Sequence, residues 1–312
     1  MNKKVSRIMA AIESNYQVKY SDKWGSLLQQ EASRLEQYVT LERDLSGKVV
    51  YFDQYGLLDF EEKRVRISST VLSEAPTYRR ALYPRIFSKA IAFDEYDAKK
   101  LGDIDIPVSK TIEGLRYAAA RRMDDVMIEG FLGENVIGDT GTQKVALPAA
   151  QTVDANYVES GTKANSNLTV AKLRRALSIL QQNEAWSPEN RNYGDELVIA
   201  VTSNQIQSLM RETEVTSYDF NSVRALADGT INSFMGFKFV RIERLPKDTA
   251  SNNRSCLAWV KSKAQFGIWD DFKVKLSVRD DLEESLQVRA KFACGATRLQ
   301  EEGFVKILCT EA

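Results

Sequence analysis

A chain of 312 residues with 43 basic and 43 acidic side chains has a formal net charge of zero, which argues against a protein whose main task is gripping nucleic acid. Hydrophobic residues at 43% and charged residues at 28% are ordinary for a globular fold and exclude disorder of the whole chain. Histidine is absent, which removes imidazole acid–base chemistry, Ser-His-Asp and Cys-His nucleophiles, and His metal ligands.

Residues 1–46 are polar and mixed. Trp24, Leu27, Leu28, Leu35 and Val39 give broken helical spacing with little to bury, so the segment reads as an arm lying on something else. Lys3, Lys4 and Arg7 precede an apolar stretch, Ile8–Ile12, that is too short for a signal sequence, and no run approaches a spanning helix. A soluble, unexported chain with no membrane partner is expected.

From Lys48 to Phe93 the period shifts to two. Val49, Tyr51 and Tyr55 share one face of a short strand, and Val65, Ile67, Ser69 and Val71 alternate with Arg64, Arg66, Ser68 and Thr70. Two such runs predict a long hairpin. Between Lys63 and Lys89 the charged residues are Lys63, Arg64, Arg66, Arg79, Arg80, Arg85 and Lys89 against the single acid Glu74. The sign then flips, with Asp94, Glu95, Asp97, Asp103 and Asp105 facing only Lys99 and Lys100. Adjacent blocks of opposite sign on a neutral protein suggest complementary surfaces between copies. Tyr78 and Tyr83 interleave with Arg79, Arg80 and Arg85, which is also a single-strand nucleic-acid signature. Neutrality and the nearby acidic block favour a neighbouring copy. Charge reversal at Arg79 and Arg80 is then expected to block assembly and leave the subunit folded.

Ser109 to Phe131 is helical in pattern. Ile112, Leu115, Ala119, Met123, Val126 and Phe131 form its core stripe, Ser109 or Thr111 can cap it, and Gly130 and Gly133 can end it. A second amphipathic helix starts near Thr169, with Val170, Leu173, Leu177 and Leu180 on one stripe. Leu197–Val201 reads as a buried strand, Ser203 as the cap of the next helix, Asp228-Gly229 as a turn, and Phe237–Ile242 as a strand. The last part alternates as strands through Phe272–Val278, Leu286–Phe292 and Phe304–Leu308. The fold class is α+β.

No chemistry stands out. Asp124 and Asp125 point about 100° apart on a helix and cannot easily share an ion; ion pairs with Arg121 and Arg122, or a solvated face, are expected instead. Asp270-Asp271 and Asp280-Asp281 lack a calcium-loop pattern, and no phosphate loop or nucleophile elbow occurs. Cys256, Cys294 and Cys309 match no disulfide or zinc spacing and are expected as buried reduced thiols. No metal, cofactor or catalytic residue is expected, and the chain reads as a non-enzyme.

The order of elements, together with Thr111–Gly133 (TIEGLRYAAARRMDDVMIEGFLG), Val201–Asp219 (VTSNQIQSLMRETEVTSYD), Asp228–Pro246 (DGTINSFMGFKFVRIERLP) and Gly295–Lys306 (GATRLQEEGFVK), resembles the major capsid proteins of tailed bacteriophages with the Hong Kong 97-like fold. The resemblance implies an N-terminal arm at 1–46, an extended loop at 47–95, and a peripheral domain at 96–190 with a spine helix at 109–131. An axial domain at 191–255 and returning strands at 256–312 complete it. It further implies hexamers and pentamers closing an icosahedral head, a procapsid that matures, and non-specific contact with packaged double-stranded DNA. Portal, separate scaffolding and decoration proteins are implied partners, with assembly in the host cytoplasm. Other readings are an encapsulin-type compartment shell, a metal-dependent phosphate-processing enzyme built on the Asp clusters, or a single-strand nucleic-acid binder at Tyr78–Arg85.

Overall fold

The computed structural model describes residues 27–60, 62, 72, 74–94, 108–138, 141–187, 195–212 and 233–311. The strands before the first helix are β1 (Thr40–Glu42), β2 (Val50–Tyr55), β3 (Thr77–Leu82) and β4 (Arg85–Phe93). Helix α1 (Val108–Leu132) follows, then β5 (Asn135–Ile137), β6 (Gln143–Val145) and β7 (Thr152–Val153). The middle holds α2 (Val170–Gln182), β8 (Leu197–Val201), α3 (Ser203–Arg211), β9 (Ser233–Phe234) and β10 (Phe237–Arg241). The chain closes with β11 (Asn253–Val260), β12 (Ala264–Arg279), β13 (Ser285–Arg298) and β14 (Phe304–Thr310).

The strands form three sheets. A six-stranded sheet runs β7-β14-β11-β8-β10-β9, a four-stranded sheet β1-β12-β13-β4, and a second four-stranded sheet β2-β3-β5-β6. The six-stranded sheet holds the main core. All five residues of β8 are buried, as befits a central strand covered on both faces. α2 lays Val170, Leu173, Ala176, Ile179 and Leu180 against this core, its start fixed by Thr169 accepting from the Lys172 N–H. Lys172 is fully buried. Its ammonium donates to three backbone carbonyls, Ser166 at 2.6 Å and Asn167 and Leu308 at 3.0 Å. Those bonds offset the cost of burying a cation, and burial pulls its pKa down.

Helix α1 runs one residue beyond the expected span at each end. Its first half packs Leu115 and Ile112 on Val288 and Ala290 of β13, with Ile91, Phe93 and Val274 around them. Its last turns enter the main core, where Phe131 lies 5.3 Å from Phe304 and 6.0 Å from Trp259 between ring centroids. Gly130 does not end the helix. A Cβ there would sit 2.6 Å from the Ala296 carbonyl oxygen, so glycine permits close approach of α1 to β13. Gly133 marks the end, its N–H bonded to the Glu129 carbonyl at 2.9 Å.

Three further expectations shift. The helix cap before α3 is Thr202, not Ser203: its side chain and Gln205 form a capping box. The partner of β2 is β3, paired from Val50↔Leu82 to Tyr55↔Thr77; the alternating stretch Val65–Val71 and the Asp228-Gly229 turn lie outside the described residues. β4 leaves that hairpin and pairs with β13 from Phe93↔Leu286 to Arg85↔Cys294. Cys256, Cys294 and Cys309 are buried and free of disulfides.

Candidate subunit interface

At the far end of its paired rungs and just past them, the β2–β3 hairpin carries exposed apolar side chains. Tyr55 is 83% exposed and Leu57 94%, and Leu58, Phe60, Leu72 and Tyr78 are also exposed. Isolated apolar side chains on a surface need no explanation, but several exposed within one short stretch make it a candidate contact surface.

The root of the hairpin is fixed to the rest of the subunit by buried charge. Arg80 donates from Nε to the Leu299 carbonyl at 2.9 Å and from Nη2 to Glu301. Gln54 donates to the same Leu299 carbonyl at 3.2 Å. One step along the chain, fully buried Arg298 donates to the carbonyls of Phe131 (2.5 Å), Gly133 (2.7 Å) and Val145 (3.2 Å). Phe131 and Gly133 are at the α1 terminus, where carbonyls lack helical partners and a cation suits the dipole. Burial, opposed by the Glu301 charge, lowers the Arg298 pKa to about 10. Hairpin root, returning strand and helix end thus form one rigid joint.

Arg79 and Arg85 of the basic block have partners within the subunit. Arg79 pairs with Asp53, directly opposite on β2, at 2.6 Å, and lies over the Tyr51 ring at 5.4 Å. That hydrogen bond holds the Asp53 carboxyl below its usual pKa. Arg85 donates to Glu129 of α1 at 2.6 Å. Lys63, Arg64 and Arg66 lie outside the described residues, as do Glu95, Asp97, Asp103 and Asp105. Asp94 is exposed just past β4. Of the expected α1 core positions, Leu115, Ala119, Val126 and Phe131 are buried, whereas Ile112 and Met123 are half-buried against the two apolar clusters.

Asp124 departs from its expected role. It is fully buried, and among the described residues it forms no ion pair with Arg121 or Arg122. Its carboxylate accepts from Gln30 Nε2 (2.5 Å), Ser33 Oγ (2.6 Å) and the backbone N–H groups of Arg34 (3.1 Å) and Leu35 (3.3 Å). This one side chain pins residues 30–35 onto the middle of α1. Asp125 behaves as expected, pairing with Arg122 at 3.6 Å, and also with Arg244 at 2.5 Å. The remaining acid pairs serve as ion-pair partners: Asp270 to Lys273 and Lys291, and Asp281 to Arg279. Among the described residues no group of His, Cys, Asp and Glu is placed to hold a metal ion.

Residues 12–311 match the family described as phage capsid protein. The chain belongs to that family. No curated protein matches it. Among solved structures, this capsid protein is similar to the capsid of cyanophage P-SCSP1u, with a TM-score of 0.69 and 16% identity over 96% of this chain and 95% of that one. It is similar to the capsid of Ralstonia phage GP4, with a TM-score of 0.69 and 14% identity over 96% of each. It is also similar to the cyanophage Pam1 capsid asymmetric unit, with a TM-score of 0.71 and 11% identity over 95% of this chain and 97% of that one. At such identities the likeness establishes the fold, which is the Hong Kong 97-like capsid fold. Family and fold together make this capsid protein a major capsid protein, a structural subunit of a phage head shell.

Proposed function

We propose that this capsid protein assembles into hexamers and pentamers that close an icosahedral head around double-stranded DNA, and that the hairpin of the 47–95 segment clasps a neighbouring subunit. The observation that carries the clasp is the contrast between its two ends. The far end leaves Tyr55, Leu57, Leu58 and Phe60 exposed, while the root is locked by Arg80, Glu301 and Arg298. A rigid lever with an apolar end suits docking on another surface. Burying each such side chain would stabilise the contact by about 2 kcal/mol. Repeated around a closed shell, modest contacts are enough.

In this reading residues 1–46 form an arm, 96–190 with 256–312 a peripheral unit stiffened by α1, and 191–255 an axial unit near the local symmetry axis. Arg79 and Arg85, both partly exposed, add charge near the clasp, and Asp94 lies on the acidic surface. Lys63, Arg64 and Arg66, with Glu95, Asp97, Asp103 and Asp105, would extend the basic and acidic faces. DNA would be packed without sequence readout, consistent with a neutral chain. Portal, scaffolding and decoration proteins are the further partners, and the host cytoplasm is the place of assembly.

Electron microscopy of the purified protein under assembly conditions is the test. Closed shells or ring-shaped capsomers are expected; a population that stays monomeric at every concentration and salt contradicts the reading.

A further inference from the structure

The long β12–β13 hairpin carries two successive rungs of like charge on one face. Lys273 stands opposite Lys291, and Lys275 opposite Arg289. Strand alternation puts all four on the face turned away from Val274, Val288 and Ala290, which pack under α1. Like charges directly opposite each other destabilise a sheet. The first rung is neutralised, because Asp270 pairs with Lys273 at 2.5 Å and with Lys291 at 3.1 Å. The second is not. Lys275 and Arg289 are exposed, and neither has an ion pair or side-chain hydrogen bond among the described residues.

At Lys275 the outer side of β12 is unpaired among the described residues, because β1 pairs only with Gln265–Gly267, and a lysine on such an open edge has an ordinary explanation, since charge there discourages stray pairing of strands. Arg289 has no such explanation, because β13 is flanked by β12 on one side and β4 on the other. Beside Arg289 on the same face, β4 places the small exposed residues Ser88, Ala90 and Ala92, with Ala90 directly opposite it. A partner can therefore come close.

The tip of the same hairpin has the opposite sign. Asp280, Glu283 and Glu284 are exposed, with no cationic partner among the described residues. Asp280 and Lys275 are separated by about 16 Å of strand at about 3.3 Å per residue, as are Glu284 and Arg289. Those side chains cannot span that gap, so the tip cannot neutralise its own shaft.

We propose that the acidic tip of the β12–β13 hairpin docks on the Lys275–Arg289 rung of a neighbouring copy. This rests on the assembly reading above and names a contact separate from the β2–β3 clasp. Tip on shaft is a heterologous contact, which closes only where copies are related by a rotation, as they are in a shell. Exposed ion pairs are individually weak, so the contact sets register and association rate more than affinity, and salt weakens it. The rival occupant of the rung is a nucleic-acid phosphate backbone, for which the acidic tip would be irrelevant.

Three charge-reversal variants decide between them: Lys275→Glu with Arg289→Glu, Asp280→Lys with Glu283→Lys and Glu284→Lys, and all five together. Shell yield is read by sedimentation and electron microscopy beside the unaltered chain, with melting of the unassembled subunit as the folding control. Each reversed set is expected to cut yield roughly tenfold, and their combination to restore most of it. Normal yield from either set alone, or no recovery on combination, overturns the proposal. So do normal shells from Lys275→Glu with Arg289→Glu that hold less nucleic acid. Should the reversed subunits melt early, the neutral pair Lys275→Gln with Arg289→Gln replaces them. It is expected to make assembly less sensitive to salt, and unchanged salt sensitivity overturns the proposal. No shells from the unaltered chain would instead remove the assembly reading itself.

Discussion

Arg80 and Glu301 form an ion pair across 221 positions of sequence, with side chains only 11% and 10% exposed. The pair ties the β2–β3 hairpin to the turn that leads into the last strand. Next to it, Arg298 closes the end of the long helix. In the proposed clasp, force would pass from the hairpin to the body through this joint.

Breaking the pair on one side leaves an uncompensated buried charge, which typically costs about 3–5 kcal/mol. Arg80→Met and Glu301→Leu are each expected to destabilise the unassembled subunit by that amount in urea, and the double variant to recover much of the loss. Additive losses in the double variant would contradict the coupling. The burial of Arg80 revises the expectation from sequence that reversing both arginines leaves the subunit folded: Arg80→Glu is expected to unfold it, whereas Arg79→Glu leaves it folded, since Arg79 pairs with an exposed Asp53 on the hairpin surface.

Asp124 is the sole carboxylate holding residues 30–35 on α1 among the described residues. Asp124→Ala would leave buried donors without an acceptor and is expected to cost about 3 kcal/mol. Hydrogen exchange locates the effect: the amides of Arg34 and Leu35 should lose protection while those of β8 keep it. Unchanged protection at Arg34 and Leu35 would show that the segment is held by other means.

The chain terminus carries an acid-sensitive lock. Glu311 accepts from Arg254 at 2.6 Å, from Gln205 at 3.0 Å and from Lys247 at 3.0 Å. The Arg254 hydrogen bond chiefly lowers its pKa, to about 2 from an ordinary 4.5. A folded-state pKa below the unfolded one gives stability that is full above pH 4.5 and is lost as pH falls toward 2. Unfolding measured across that window should therefore show a steeper loss for the unaltered subunit than for Glu311→Gln. Equal slopes would remove Glu311 from the account.

The sequence made α1 legible to within a residue at each end, because its apolar stripe keeps a 3.6-residue period without proline. The start of α2 near Thr169 was legible too. β12 and β13 were legible only in part: alternation marked Phe272–Val278 and Leu286–Phe292, whereas the strands run Ala264–Arg279 and Ser285–Arg298. What stayed hidden was the partner of β2. In β3 the consecutive residues Arg80, Ala81 and Leu82 are all buried, so no period of two shows. Asp124, Lys172 and Arg298 were equally invisible as buried charges. Their partners are backbone groups or side chains mostly brought close only by the fold, and no local spacing announces them. The unpaired rung of Lys275 and Arg289 needed the register of two strands to be seen.

The clasp is tested most directly by electron microscopy of shells formed from Leu57→Ser with Phe60→Ser, set beside the melting temperature of the same subunit before assembly. Both side chains are exposed, so melting is expected to stay at the unaltered value while shells disappear or become rare. Full yields of normal shells from this variant would contradict the claim that these exposed apolar side chains hold neighbouring subunits together.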